Sequence, residues 1–179
     1  MTEKFYIIAP CFNEEKNIDE FTNSTLSTLK KYENFEIILV DDGSSDNTWV
    51  KIKNQCAKNN KILGIKLSKN FGKDSAIEAG LSKITKISNF DFVIVLDADL
   101  QHPIDKIPEM IEKWKNNIKI VTTFKKNNVE SFIRKAGSDL FYFVMTNFSD
   151  AKFITKNTDF MLIDKKVVEI FNKLSEKNK

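Results

Sequence analysis

FDFVIVLDADLQHP, residues 90–103, joins the most continuously apolar run of the chain to two aspartates two positions apart. The first half, FDFVIVLD (90–97), has the length of a strand and is apolar at nearly every position, which places it centrally in a sheet with both faces covered. Strand interiors avoid carboxylates, and Asp97 and Asp99 repel each other unless a cation sits between them. The stretch therefore reads as a central strand that opens, at its carboxyl end, onto charge or solvent.

Outward from it, short apolar runs alternate with longer amphipathic ones. KFYIIAP (4–10), FEIILVDD (35–42), KILGIKL (61–67) and IKIVTTF (118–124) read as further strands. Between them lie segments with helical spacing. The first carries Ile18, Phe21, Leu26 and Leu29. The second is capped by Ser45 or Asp46, with Trp49, Ile52 and Cys56 inward. The third starts near Gly72 and turns Ile77, Leu81, Ile84 and Ile87 to one face. Pro103 suits the first turn of a fourth, with Ile107, Ile111 and Trp114. This series predicts an α/β fold with a mostly parallel central sheet flanked by helices. VESFIRKAGSDLFYFVMTNFS (129–149) reads as an aromatic amphipathic helix, and DFMLIDKKVVEIFNKL (159–174) as a short strand and a helix. No repeat, low-complexity tract or linker interrupts the chain, so residues 1–179 are read as a single domain.

Composition narrows the function. With 41% hydrophobic and 30% charged residues among 179, the chain has the composition of a soluble globular domain, and a net charge of +3 gives little support to nucleic-acid binding. The charge is uneven: Lys113, Lys115, Lys119, Lys125, Lys126, Arg134 and Lys135 face a single acid, Glu130, between residues 113 and 135. Such a run suits a phosphate or an anionic membrane surface, or is simply a solvated face. Cys11 and Cys56 match no metal or redox spacing, and with no signal-peptide pattern and no apolar segment long enough to span a bilayer, a cytoplasmic protein is expected.

Ligands in parallel sheets bind beyond the carboxyl ends of the strands. That rule gathers Pro10 to Glu14, Asp41 to Ser44, and Asp97 to Gln101. The turn after the first strand, PCFNEE, has no glycine and two carboxylates, unlike the glycine-rich turn that admits a dinucleotide pyrophosphate. Phosphates must then be met through a cation. Asp97 and Asp99, with Gln101 two further on, offer oxygen donors to a hard ion such as Mg²⁺ or Mn²⁺. His102 reads as a polar cap rather than a ligand. Asp41 and Asp42, with Gly43 supplying the turn, are placed to accept hydrogen bonds from ribose hydroxyls or a base N–H.

IAPCFNEEKNI, ILVDDGSSDNT, KNFGKDSAIEAGL and VLDADLQHP resemble, in order and spacing, the motifs of family 2 glycosyltransferases with the GT-A nucleotide-diphospho-sugar transferase fold. With ESFIRKAGSDLFYFVMTNFS and NTDFMLIDKKVV the resemblance covers nearly the whole chain and is nearest to the dolichyl-phosphate mannose synthase and bactoprenol glucosyltransferase branch. It implies transfer of a sugar, with inversion, from a nucleotide donor such as a UDP- or GDP-sugar to a polyprenyl phosphate at the cytoplasmic face of the membrane. It implies nucleotide-sugar contacts at Pro10, Phe12, Glu14, Val40, Asp42, Asp97, Ala98 and Asp99, and a divalent Mg or Mn ion on Asp99 and Gln101, with Asp97 facing the nucleotide. Lys125 stands where relatives commonly carry a phosphate-binding arginine, and Asp159, in TDF rather than the usual Gly-Asp-Phe, falls near the acceptor. A downstream basic motif and the C-terminal membrane helices of many relatives do not follow. The chain thus divides into a nucleotide-binding part, about 1–124, and an acceptor- and membrane-facing part, about 125–179, expected to be truncated. The aromatic helix also leaves room for a homo-oligomer. Two rival readings remain: a family 2 transferase acting on a saccharide hydroxyl during cell-envelope polysaccharide synthesis, and a catalytically silent nucleotide-sugar-binding subunit.

Overall fold

Phe5 to Cys11 form β1, and all seven residues are buried. A strand alternates its side chains between two faces, so a run buried at every position requires a layer on each side of the sheet. The computed structural model, which describes residues 3–87, 89–123 and 160–170, has this arrangement. After β1 come α1 (Ile18–Thr28), β2 (Phe35–Asp41), α2 (Thr48–Lys58), β3 (Ile62–Lys66), α3 (Lys73–Ile87) and β4 (Phe92–Val95). A 3-10 turn (Ile104–Lys106) leads into α4 (Ile107–Lys115), followed by β5 (Ile120–Thr122), β6 (Met161–Asp164) and helical residues 165–170.

The sheet order is β3-β2-β1-β4-β6-β5. The first four strands pair in parallel, whereas β6 pairs antiparallel with both β4 and β5. The α/β class and mostly parallel sheet match the sequence reading. The insertion of β6 between β4 and β5 was not part of it. Its residues Met161 to Asp164 are all buried, and Asp164 accepts hydrogen bonds from Trp114 Nε1 at 2.8 Å and Lys119 Nζ at 3.0 Å. A carboxylate is thereby tolerated in the sheet because two donors meet it.

On one face of the sheet, Phe5, Ile7, Ile37, Leu39, Phe92 and Ile94 pack with Ile18, Phe21, Ile52, Ile107 and Ile111 from α1, α2 and α4. On the other, Tyr6, Ile8, Ile38, Val40, Val93 and Val95 pack with Ala76, Ile77, Leu81 and Ile84 from α3. The expected inward positions are thus mostly buried, while Leu26, Trp49, Cys56 and Trp114 are half-buried at the margin. Gly80 lets α3 lie close to β1, since a Cβ there would stand 2.7 Å from Ile8 Cγ2.

Helix starts differ in detail from expectation. Asn47 precedes α2 without a side-chain cap bond, and Asp46 accepts from the Thr48 N–H at 2.9 Å, so Asp46 serves the first turn from one position earlier. Pro103 lies before the 3-10 turn, and the proline inside the first turn of α4 is Pro108.

Phe92 is fully buried, with ring centroids 4.7 Å from Phe5 and 4.6 Å from Trp114. Phe92→Ala should lower unfolding stability by about 3–5 kcal/mol in urea denaturation. A loss below about 1 kcal/mol would mean that this ring does not anchor the core.

Candidate functional site

The chain leaves β1 toward β2 and β3 on one side, then returns to β4 on the other. The switch point lies between β1 and β4, and in open α/β sheets the crevice outside the carboxyl ends of such strands takes ligands. A cavity of about 310 Å³ opens there. Pro10, Cys11, Phe12 and Glu14 line it from β1 and its turn, and Asp42 from the end of β2. Asn70, Gly72 and Lys73 contribute from the β3–α3 turn, and Asp97 and Asp99 from the end of β4.

The two turns that follow β1 and β2 hold each other in place. Asn13, at φ 56°, donates its N–H to Ser44 Oγ at 2.9 Å and accepts the Ser45 N–H at 3.0 Å. The Glu14 N–H reaches Thr48 Oγ1 at 2.7 Å, and Glu15 Oε2 accepts the Asn47 N–H at 3.0 Å. Glu14 Oε2 accepts from the Asn17 amide at 2.6 Å. Polar residues that look like ordinary loop composition therefore set the outline of one wall.

Asp41 and Asp42 differ sharply. Asp41 Oδ1 accepts the Ser44 N–H at 3.0 Å, whereas Asp41 Oδ2 is buried without a hydrogen-bond partner among the described residues. Asp42 accepts the Phe71 N–H at 2.8 Å on Oδ1 and the Gly72 N–H at 2.9 Å on Oδ2. Its carboxylate thus clamps the β3–α3 turn to the site. Gly43 makes this possible: at φ 68°, a Cβ there would stand 2.3 Å from the backbone carbon of Lys69.

At the end of β4, Asp97 Oδ2 receives the Lys73 ammonium at 2.6 Å, with His102 Nε2 at 3.8 Å from the same oxygen. Burial works against the charged form of Asp97, but His102 and Lys73 together outweigh it and hold the carboxyl below the ordinary aspartate range. Asp99 Oδ1 accepts the Gln101 N–H at 2.9 Å, across Leu100 at φ 62°. His102 is enclosed between Asp97 and the ring of Phe160, whose centroid lies 5.6 Å away. It is a partner of the acid rather than the helix cap expected of it. Cys11 is buried, and burial pushes its thiol up, away from the thiolate that a nucleophile needs.

Of the residues singled out in sequence, Pro10, Phe12, Glu14, Asp42, Asp97 and Asp99 come together around the cavity. Val40 lies fully buried in the layer shared with α3, Ala98 is buried in the opposite layer, and Gln101 is exposed outside the lining. Lys125, Asp159 and the aromatic segment 129–149 lie outside the described residues. In the basic run, Lys115 pairs with Glu3 at 3.4 Å and Glu112 at 3.5 Å, and Lys119 with Asp164 at 3.0 Å, so acids already match part of it. Asn70, Gly72 and Lys73 were missed as site residues. The signal was present in KNFGK: of the first four strand-end turns it is the one that carries lysine and no acid.

Among the described residues no group of three or more histidine, cysteine, aspartate or glutamate side chains is gathered to cage a metal ion. The donor set fits a different kind of site. A hard cation such as Mg²⁺ takes one or two carboxylates and completes its shell with substrate phosphate and water, and Asp99 and Asp97 on one cavity wall supply that much.

The glycosyl transferase family 2 model matches residues 6–171. An uncharacterized glycosyltransferase of Synechocystis sp. is 33% identical over 181 residues, covering 100% of this chain and 56% of its own. The uncharacterized glycosyltransferase YkcC of Bacillus subtilis is also 33% identical, over 98% of this chain and 54% of its own length. The chain therefore spans about half the length of these relatives. Among solved structures, the mannosyltransferase PcManGT of Pyrobaculum calidifontis, in complex with GDP-Man and Mn²⁺, superposes with a TM-score of 0.59 at 17% identity, over 95% of this chain and 47% of that one. That likeness speaks for the GT-A fold alone. Matched along almost its whole length, the chain belongs to glycosyl transferase family 2.

Proposed function

We propose that this chain carries the donor site of an inverting glycosyltransferase that moves a sugar from a nucleoside diphosphate to a polyprenyl phosphate at a membrane surface. The observation that carries the reading is the cavity at the β1/β4 switch point, where Asp97 and Asp99 face Phe12, Glu14 and Asp42. Phe12 is 45% exposed there and offers a face on which a base can stack. Asp42 holds the opposite turn, and Asp41 keeps an unused buried acceptor beside it. The solved relative with GDP-Man and Mn²⁺ supports a nucleotide sugar as donor and a divalent ion as its companion.

In this reading an oxygen of the lipid phosphate attacks the anomeric carbon from the face opposite the leaving group. The bond from that carbon to the diphosphate breaks, and the electron pair departs with the nucleotide. A phosphate acceptor is already ionised near neutral pH, so orientation matters more than proton removal. The divalent ion supplies neutralisation of the charge that develops on the leaving diphosphate. Asp99 and Asp97 would hold that ion from the cavity wall, joined by Gln101, whose exposed side chain lies outside the lining and must turn inward to reach it, and Lys125 would add positive charge near the phosphates. Asp159 matches a family position near the acceptor and is the candidate base if the acceptor is a hydroxyl. The basic and aromatic segment from Lys125 onward collects the lipid headgroup. Among the described residues no helix is long and apolar enough to cross a membrane.

A thermal-shift screen of UDP-, GDP- and dTDP-sugars with Mn²⁺ and with Mg²⁺ tests the donor. The preferred pair should raise Tm in proportion to occupancy, by the equivalent of about 2.7 kcal/mol at a hundred times Kd. Transfer of that sugar is then measured with a short-chain polyprenyl phosphate and with a saccharide acceptor. Transfer only to the saccharide hydroxyl overturns the acceptor assignment, and no shift with any nucleotide overturns the donor site itself.

A further inference from the structure

Among the described residues that line the cavity, the β3–α3 turn brings one cation against four acids. Glu14, Asp42, Asp97 and Asp99 line it, and Lys73 faces them. Lys73, the first residue of α3, places Nζ 2.6 Å from Asp97 Oδ2, and the two side chains are only 33% and 21% exposed. Its position is not loose. Both oxygens of Asp42 are spent on the Phe71 and Gly72 N–H groups, which fixes the backbone immediately before it. Gly43 lets that backbone pass in contact with the β2 turn.

We propose that Lys73 competes with the divalent cation for Asp97, so that the ammonium keeps the ion off the acid pair until a diphosphate arrives to share it. A cation entering the cavity alone must displace an ion pair already made at hydrogen-bond distance, in a place where solvent screens it less than on an open surface. A diphosphate changes the balance. It gives the ammonium a second anionic partner and leaves Asp97 free to turn toward the metal side. Nucleotide and metal then bind with positive coupling, and by linkage each strengthens the other by the same factor. This coupling rests on the donor site proposed above, whereas the competition between Lys73 and a metal ion does not.

The test titrates Mn²⁺ alone, followed by the EPR signal of the free ion, into the wild type, Lys73→Met, Lys73→Arg and the double variant Lys73→Met/Asp97→Asn. Lys73→Met should bind Mn²⁺ about tenfold more tightly or better, since an opposite charge shifts a neighbouring carboxylate's proton affinity by roughly one to three powers of ten. Lys73→Arg should stay near the wild type, and the gain should vanish in the double variant. Equal Mn²⁺ affinity in wild type and Lys73→Met, with both folded by circular dichroism, overturns the proposal. A gain that survives Asp97→Asn overturns it too, because it then reports the general field of the cavity. Titrations repeated with saturating nucleotide should show Mn²⁺ binding strengthened in the wild type and much less so in Lys73→Met; a strengthening of equal size in both overturns the coupling. If none of UDP, GDP and dTDP binds the wild type with Mn²⁺ present, the donor-site reading fails, and the Mn²⁺-only series still decides the role of Lys73.

Discussion

Asp99→Ala should weaken metal-dependent binding of the preferred nucleotide sugar by about a hundredfold or more, close to 2.8 kcal/mol, and should abolish transfer. Asp99 lies on the cavity wall, and its structural duty is small: one oxygen accepts the Gln101 N–H within a short turn. Losing that bond costs about 1 kcal/mol of stability, within reach of a folded domain. Isothermal titration with Mn²⁺ present and with a chelator separates the effects. The expected pattern is a large loss with metal and little change without it. Should the variant bind nucleotide and Mn²⁺ as tightly as the wild type, Asp99 is not the metal ligand.

Gly43→Ala should cost about 3 kcal/mol or more of unfolding stability, and it should weaken nucleotide binding with it. Two effects add. A non-glycine residue at φ 68° carries a penalty of about 1–2 kcal/mol. The new Cβ would also stand 2.3 Å from Lys69 C and 2.5 Å from Asn70 N, both backbone atoms that cannot rotate aside. Gly72→Ala is the internal comparison. At φ 95° it has the backbone penalty, yet a Cβ there meets nothing within 4 Å. Urea denaturation of both variants should show Gly43→Ala as clearly the worse. Equal losses would mean that the close crossing of the β2 and β3–α3 turns contributes nothing.

The contrast between those glycines shows what local pattern can reveal. Gly43 is legible in DDGSS as a turn residue, because glycine after a strand and before polar residues signals a tight bend. Its second duty, as the place where another backbone crosses, has no local signature. Asp42 is similar. A carboxylate at a strand end suggests a ligand contact, but its two oxygens are taken by Phe71 and Gly72, 29 and 30 positions away. Nothing in DDGS announces this. Ala98, between the lining residues Asp97 and Asp99, and Val40, two positions before Asp42, have their side chains in the core layers, which motif resemblance alone does not reveal.

By itself the sequence determined the layered α/β class and the concentration of acids at strand ends. Continuous apolar runs can be buried only in a covered sheet, and charge can leave such runs only at their ends. The aspartates of VLDADLQHP, which line the cavity, were therefore visible as a candidate site before any fold was known. Only the tertiary structure decided which acids share a cavity, that Lys73 closes on Asp97 from 24 positions away, and that β6 runs antiparallel between β4 and β5. These are long-range pairings. They are chosen by which surfaces meet once the layers have packed, and no periodicity within a single element carries that information.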